Sequence, residues 1–430
     1  MYNVIMRYIF VSFFIISILA VPWLMLNPDY ARIVYSAIGS VENKVASVIL
    51  SRTPKTIIEI KSRYLGVGQE KVPTTSRSKV KILLVPGHEP DFGGAEYSNL
   101  FERDMNVELA EQLRQFIEAN DRYEVFVSRN QDDWSPTFSN YFKNNWDDIV
   151  GWTKNNREET ERLSRLGEFH PIVPTVIHNK APQNVALRLY GISKWSNEND
   201  VDIIIHIHFN DNPGHSKNSP GKYSGFAIYI PQNQLLNSST THTVANSIFN
   251  RLQKFNPISN FGGESGGIIE TQDLIAVGAY NSVNAASMLI EYGYIYEPQF
   301  NNSELKDLAI KDLAFQTYLG LQDFFDDKSP TSLSGAYDTL IMPYTWTSPI
   351  IDSKYSSKDV YSLQTALAID GHYPPPNKSK NDCPRTGGFG NCTKTAVELF
   401  QKKRGVTGEY GMVGTKTLEE LNKIYSVKAI

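Results

Sequence analysis

Hydrophobic positions follow three rhythms along the chain. Tyr8–Leu26 is one unbroken apolar run without a charge. Between residues 80 and 325, apolar runs of strand length alternate with stripes at helical spacing. After residue 357 only short helical stripes remain.

In the middle region Val80–Val85 reads as a first strand, stopped by Pro86 and Gly87. Met105, Leu109, Leu113 and Ile117 recur every four residues and predict an amphipathic helix over 103–117. Asn99 is a candidate N-cap for it, which gives Glu102 an ordinary reading as a capping-box carboxylate. Tyr123–Val127 predicts the next strand. The rhythm then breaks over 131–182, where Trp134, Trp146, Trp152 and four prolines stand among charges. This stretch reads as a long insertion with one short helix near Glu158–Leu166, and loops of such length in compact domains serve as lids or binding elements. His170 and His178 within it read as surface residues. Beyond it, 184–195 predicts a helix and Val201–Ile207 a β-branched strand whose alternation puts His206 and His208 on one face. Gly225–Ile230 and Ala286–Glu291 are further strands, and Ser239–Phe255 and Asp307–Phe325 further helices. The segment after the Gly- and Ser-rich loop 258–267 reads equally as a short strand or a short helix. The alternation predicts an α/β domain, a mixed sheet with flanking helices.

The N-terminal run would span about 29 Å as a helix, enough to cross a bilayer core. An uncleaved signal anchor or transmembrane helix fits its length best. A cleaved signal peptide is the alternative, and Ile18-Leu19-Ala20 matches the small-residue cleavage pattern poorly. Either places the rest of the chain outside the cytoplasm. The chain thus divides into a transmembrane segment (1–26), a juxtamembrane stalk (27–78), the α/β domain (79–326), a Ser-, Pro- and Tyr-rich linker (327–356) and a small C-terminal domain (357–430). Ser357 is a candidate N-cap for a first helix lined by Val360, Leu363, Ala366 and Leu367. Ala396, Val397, Leu399 and Phe400 line a second, ended by Gly405, and Leu418, Leu421 and Ile424 a third.

Composition narrows the classes. Hydrophobic content of 41% and charged content of 20% over 430 residues are globular values for more than one domain. A net charge of −4 gives no footprint for nucleic acid. The two cysteines, Cys383 and Cys392, make neither a disulfide scaffold nor a cysteine zinc finger; outside the cytoplasm they are placed to close one bridge, the alternative being two free thiols.

The candidate chemistry sits at strand ends. His88 follows the first strand, Glu102 opens the first helix, and His208 ends the strand after the insertion. Two imidazoles and a carboxylate suit zinc, and three protein ligands leave its fourth position open, the catalytic pattern. Glu291 ends yet another strand. In open α/β sheets function collects beyond the carboxyl ends of the strands.

On Pro86-Gly87-His88, Glu102, Ile207-His208-Phe209-Asn210 and Glu291-Tyr292-Gly293 the chain resembles the zinc-dependent N-acetylmuramoyl-L-alanine amidases of cell-wall turnover, over roughly 80–325. It departs from them in having Val85 before Pro-Gly-His, Glu89 where Gly is usual and His206 where Ser is common. The resemblance implies zinc on His88, Glu102 and His208, Glu291 as catalytic acid/base, and hydrolysis of the bond between N-acetylmuramic acid and L-alanine. On Leu363-Gln364, Gly388-Phe389-Gly390, Thr393, Ala396-Val397, Phe400-Gln401 and Gly411-Met412-Val413-Gly414 the C-terminal unit resembles the three-helix peptidoglycan-binding domain. Together these imply an extracytoplasmic enzyme of the cell envelope with peptidoglycan as partner, the membrane as anchor and no nucleic acid; a regulatory protein is left unspecified. Two other readings stay open: a non-catalytic peptidoglycan-binding scaffold, and a zinc peptidase acting on stem peptides.

Overall fold

The computed structural model describes residues 53–67, 78–178, 180–212, 214–325, 338–350 and 356–426. The run Tyr8–Leu26 lies outside them, and no helix among the described residues is long and apolar enough to cross a membrane. The chain separates into two units, Met1–Thr53 and Pro54–Ile430, and the second holds the sheet and its helices.

Six strands form the sheet: β1 (Val80–Pro86), β4 (Tyr123–Val127), β5 (Ile203–Asn210), β6 (Ala227–Pro231), β7 (Ile268–Thr271) and β8 (Ala286–Tyr294). Their order is β4-β1-β5-β8-β6-β7. The pairs β4–β1, β1–β5, β5–β8 and β6–β7 are parallel and β8–β6 is antiparallel, so the sheet is mixed. A two-residue ribbon, β2 (Glu96–Tyr97) and β3 (Leu100–Phe101), stands apart from it.

The pleat sorts the apolar runs onto two faces. Ile82, Leu84, Ile203, Ile205, Ile207, Met288 and Ile290 pack on one side with α2 (Glu102–Glu118), α5 (Ser238–Phe255) and α6 (Ser303–Phe324). Leu83, Val85 and Ile204 face the other side, under α3 (Pro136–Arg165) and α4 (Gln183–Glu198). Both faces are covered, which is why the central strands read as continuous apolar runs rather than alternating ones.

Three expectations change. The insertion carries not one short helix but α3, thirty residues long, with Asn145 non-helical inside it. Pro136 occupies its first turn, where a missing N–H costs nothing. The buried stripe Phe138, Phe142, Ile149, Thr153, Asn156, Thr160 has helical spacing, but its second half is polar. The expected stalk 27–78 reaches into the compact unit: α1 (Ile57–Leu65), capped by the Thr56 side chain, buries Ile60 and Tyr64 in the main core. Arg63 pairs with Asp202 at 3.0 Å and Lys55 with Asp200, fixing that helix to the start of β5. Burying the Ile60 side chain contributes about 2 kcal/mol toward holding that helix on the core. The expected linker 327–356 is likewise packed where it is described. Ile341, Met342 and Ile350 are buried, Trp346 is 1% exposed, and its indole donates to the Asp359 carbonyl at 2.9 Å.

The C-terminal unit has helices α7 (Lys358–Ile369), α8 (Asn391–Arg404) and α9 (Thr415–Tyr425). Ser357 caps α7 by accepting from Val360 N, and Gly405 ends α8 in the left-handed conformation that glycine adopts freely. Cys383 and Cys392 form a disulfide.

Candidate active site

His88 follows β1, His208 and Glu291 lie in the last residues of β5 and β8, and Glu102 opens α2. β1 stops at Pro86, and the chain turns through Gly87 into His88, whose φ of 68° is left-handed. A non-glycine residue held there stores strain, which locates the turn as a functional one. The turn needs Gly87: a Cβ at that position would lie 2.2 Å from Nε2 of His208. Gly94 (φ +87°) is constrained in the same way, since its Cβ would meet the His88 ring at 2.9 Å and Glu102 Oε2 at 3.1 Å.

Glu102 is the first residue of α2, and the N-cap is Phe101 without a side-chain cap, so Asn99 and the capping box drop out. Its carboxylate is 4% exposed and turned toward the strand ends instead. Oε1 lies 2.8 Å from His88 Nε2 and 2.9 Å from His208 Nδ1. Ala95 N donates to Oε2 at 2.7 Å, and Phe209 N to Oε1 at 3.3 Å. The ligand atoms of His88, Glu102 and His208 all lie within 4.8 Å of one another.

His208 projects from β5 opposite Glu291 of β8, its register partner. Both line one cavity of about 1290 Å³, together with His88, Glu102 and His206. Glu291 Oε2 is buried and accepts no hydrogen bond from the described residues. Burial, and then the carboxylates of Glu102 and Glu264, push the Glu291 carboxyl well above its ordinary value. At Glu102 burial opposes ionisation, but His88 and His208 outweigh it and hold the carboxyl below the usual range. Burial, with His208 adding, pushes His206 down to about 3, so its ring is neutral.

The structure thus brings His88, Glu102, His208 and Glu291 together, with His206 beside them. His178 of the insertion also lines the cavity, with its ring edge against Tyr229 at 4.9 Å. The other insertion residues on the wall include Trp134, Arg157, Phe169 and Pro174, so the insertion forms one side of the cleft. It is tied to the His88 turn through Glu89, which accepts from the Trp134 indole at 3.2 Å, while Arg188 of α4 pairs with Glu89 at 3.0 Å.

Two supporting groups carry no motif in the sequence. Arg129, 2% exposed, donates from Nε to the Pro86 carbonyl at 3.1 Å and from Nη2 to the Gly87 carbonyl and to the Arg103 carbonyl at 2.9 Å. It clamps the His88 turn to the start of α2. The one available signal was its place just past β4, at the same sheet edge as His88. Glu264 accepts from Tyr229 at 2.6 Å, Asn210 at 2.8 Å, Tyr294 at 3.0 Å and Ser259, and sits in a glycine-rich loop that carried no such hint.

The donor set fits a zinc ion: two imidazole nitrogens and one carboxylate oxygen converge, the carboxylate is oriented by backbone amides, and one side opens onto the cavity beside an unpartnered carboxyl oxygen.

Residues 82–322 match the N-acetylmuramoyl-L-alanine amidase family, and residues 356–421 match the peptidoglycan binding domain. No curated protein matches the chain. Among solved structures, the CwlD amidase from Clostridioides difficile, in complex with the GerS lipoprotein, is 18% identical over 58% of this chain and 99% of its own, with a TM-score of 0.38. The N-acetylmuramyl-L-alanine amidase Ami1 from Mycobacterium smegmatis is 15% identical over 57% and 97%, with a TM-score of 0.37. The family match spans more than half of the chain, and the protein belongs to the N-acetylmuramoyl-L-alanine amidase family, with a peptidoglycan-binding domain at its C-terminal end.

Proposed function

We propose that the protein is a zinc-dependent amidase that cleaves the bond between N-acetylmuramic acid and L-alanine in peptidoglycan, while its C-terminal domain holds it on the wall. The observation that carries this reading is the convergence of His88, Glu102 and His208 beside the unpartnered Glu291 oxygen, all on one cavity wall. His88 Nε2, His208 Nδ1 and Glu102 Oε1 would hold the metal. A bound zinc ion supplies Lewis acidity, polarising an amide carbonyl and lowering the pKa of water to about 7.

The remaining work falls to the chain itself. Glu291 takes a proton from the attacking water and passes it to the departing alanine nitrogen, as the C–O bond forms and the C–N bond breaks. Its raised proton affinity suits the second half of that task, because an amine leaves only when protonated. Gly87, Arg129 and the Ala95 amide hold the imidazoles and the Glu102 carboxylate in register. The insertion wall narrows the cleft around the substrate and limits water.

In this reading Tyr8–Leu26 anchors the enzyme to the cytoplasmic membrane, and both domains work outside the cytoplasm, where the Cys383–Cys392 bridge is stable. The test uses a soluble muramoyl-peptide with the full chain, with and without a chelator. Cleavage that the chelator abolishes and added zinc restores supports the reading; cleavage indifferent to chelator removes the metal from it.

A further inference from the structure

The C-terminal domain is joined to the amidase fold by a buried contact, and that contact leads to the active site. Arg385 lies in the loop closed by the Cys383–Cys392 disulfide and is 5% exposed. Its guanidinium reaches across to the amidase fold. Nε donates to the Phe255 carbonyl at 3.1 Å, and Nη2 to Asn256 Oδ1 and to Asp312 Oδ2, both at 3.3 Å. Nη1 donates to Thr365 of its own domain at 2.7 Å. The planar group also lies 4.9 Å from the ring centres of Phe255 and Tyr361, one from each side of the contact. Four residues earlier, Asn381 donates to the Ile258 carbonyl at 3.0 Å. A buried arginine that bonds the Phe255 carbonyl and the Asn256 and Asp312 side chains couples the two folds more closely than a tether requires.

The segment these bonds hold, 255–258, is continuous with the support of the site. Phe226 N donates to the Pro257 carbonyl at 3.0 Å, and Ser259 N to the Phe226 carbonyl at 2.8 Å. The next residue, Ala227, is the register partner of Glu291. Ser259 itself donates to Glu264, which accepts at 2.8 Å from Asn210, two residues beyond His208. One path thus ends beside Glu291 and the other beside His208.

We propose that Arg385, with Asn381, is a positioning residue for the active site, so that the peptidoglycan-binding domain helps to set the geometry of Glu291 and His208 as well as retaining the enzyme on the wall. The inference rests on the amidase reading for its kinetic arm only. A tether matters for insoluble wall and is irrelevant to a small soluble substrate, whereas misplacing an acid/base group lowers turnover on both.

The experiment compares full-length wild type, Arg385→Ala, Asn381→Ala and Lys358→Ala. The last removes a solvent-exposed pair with Glu304 across the same contact. Two readouts are taken: kcat and KM on a soluble muramoyl-peptide, and amide hydrogen exchange without substrate. Arg385→Ala is expected to lower kcat about tenfold or more with KM nearly unchanged. Asn381→Ala is expected to lower it about threefold. Exchange should quicken over 226–228 and 259–264 in both, with β1 unaffected, and Lys358→Ala should match wild type. A folded Arg385→Ala with wild-type kcat on the soluble substrate and wild-type exchange, losing activity only on insoluble wall, overturns the proposal. If Arg385→Ala does not fold, Asn381→Ala decides by the same two readouts. If wild type leaves the soluble substrate intact, the amidase reading fails on that result, and the exchange pattern alone upholds or overturns the positioning role.

Discussion

Gly87 and His208 are packed so closely that the backbone of one strand end touches the imidazole of the next. A Cβ at residue 87 would stand 2.2 Å from the ring, well inside any contact distance. The backbone of the His88 turn therefore sets the position of a second imidazole. Gly87→Ala is expected to keep the fold, because only a strand-end turn is disturbed, and to weaken zinc affinity about 10- to 100-fold, the range for losing a support of a metal ligand. Chelator-competition titration with circular dichroism checks this; unchanged affinity in a folded variant contradicts it.

Glu291 is buried with an oxygen that has no hydrogen-bond partner among the described residues, a position that costs stability. Glu291→Gln is expected to lower turnover by about 10²- to 10⁴-fold, leave zinc binding intact and leave the melting temperature unchanged or higher. Loss of the metal along with activity would mean that Glu291 supports the ligands instead of handling a proton.

Much of this site is legible in the sequence. His88, His208 and Glu291 stand where apolar runs stop and Glu102 where a helical stripe begins, and the order β1-β5-β8 brings those strand ends side by side. Arg129 is hidden because its role lies in three backbone carbonyls, which leave no trace in sequence. The helix α3 is hidden because Thr153, Asn156 and Thr160 bury polar side chains, two of them bonding back to the preceding turn. The fusion of the two domains is hidden because a Ser- and Pro-rich stretch reads as a linker even when Trp346 within it is core.

His215 offers a pH probe outside the His88, Glu102 and His208 cluster. Asp211 Oδ1 lies 2.7 Å from its Nε2, and that bond, with help from the Ser216 and Ser219 backbone and against slight burial, raises its proton affinity. The rings of Tyr97 and Tyr296 flank it. A raised folded value means that the stabilisation is fully present below about pH 6.5 and is lost as pH rises through the folded pKa. NMR titration of His215 should give a value above about 6.5 that falls in Asp211→Asn; equal values in both proteins contradict the assignment.

The disulfide closes the loop that carries Arg385. Replacing both cysteines by serine is expected to cost about 2–3 kcal/mol on the loop-entropy model. Denaturant unfolding measures it, and a cost near zero would show that the loop is held by its hydrogen bonds, those of Arg385, Tyr373 and Gln364 among them, without the bridge.

The insertion forms one wall of the cleft through Phe169, Pro171, Pro174 and His178. Replacing residues 171–177 by a short glycine-serine link is expected to raise kcat/KM on intact wall by several-fold, on the order of the penalty for an ordered lid. Equal rates on intact wall before and after the replacement would remove any gating role.

The most direct measurement is mass spectrometry of the products released from purified peptidoglycan by the full chain with zinc, with Glu291→Gln in parallel. The account predicts free stem peptides that begin at the amine of L-alanine, glycan strands with an exposed lactyl carboxyl group, and neither from the variant. Fragments cut within the stem peptide, or wall binding without release, would contradict it.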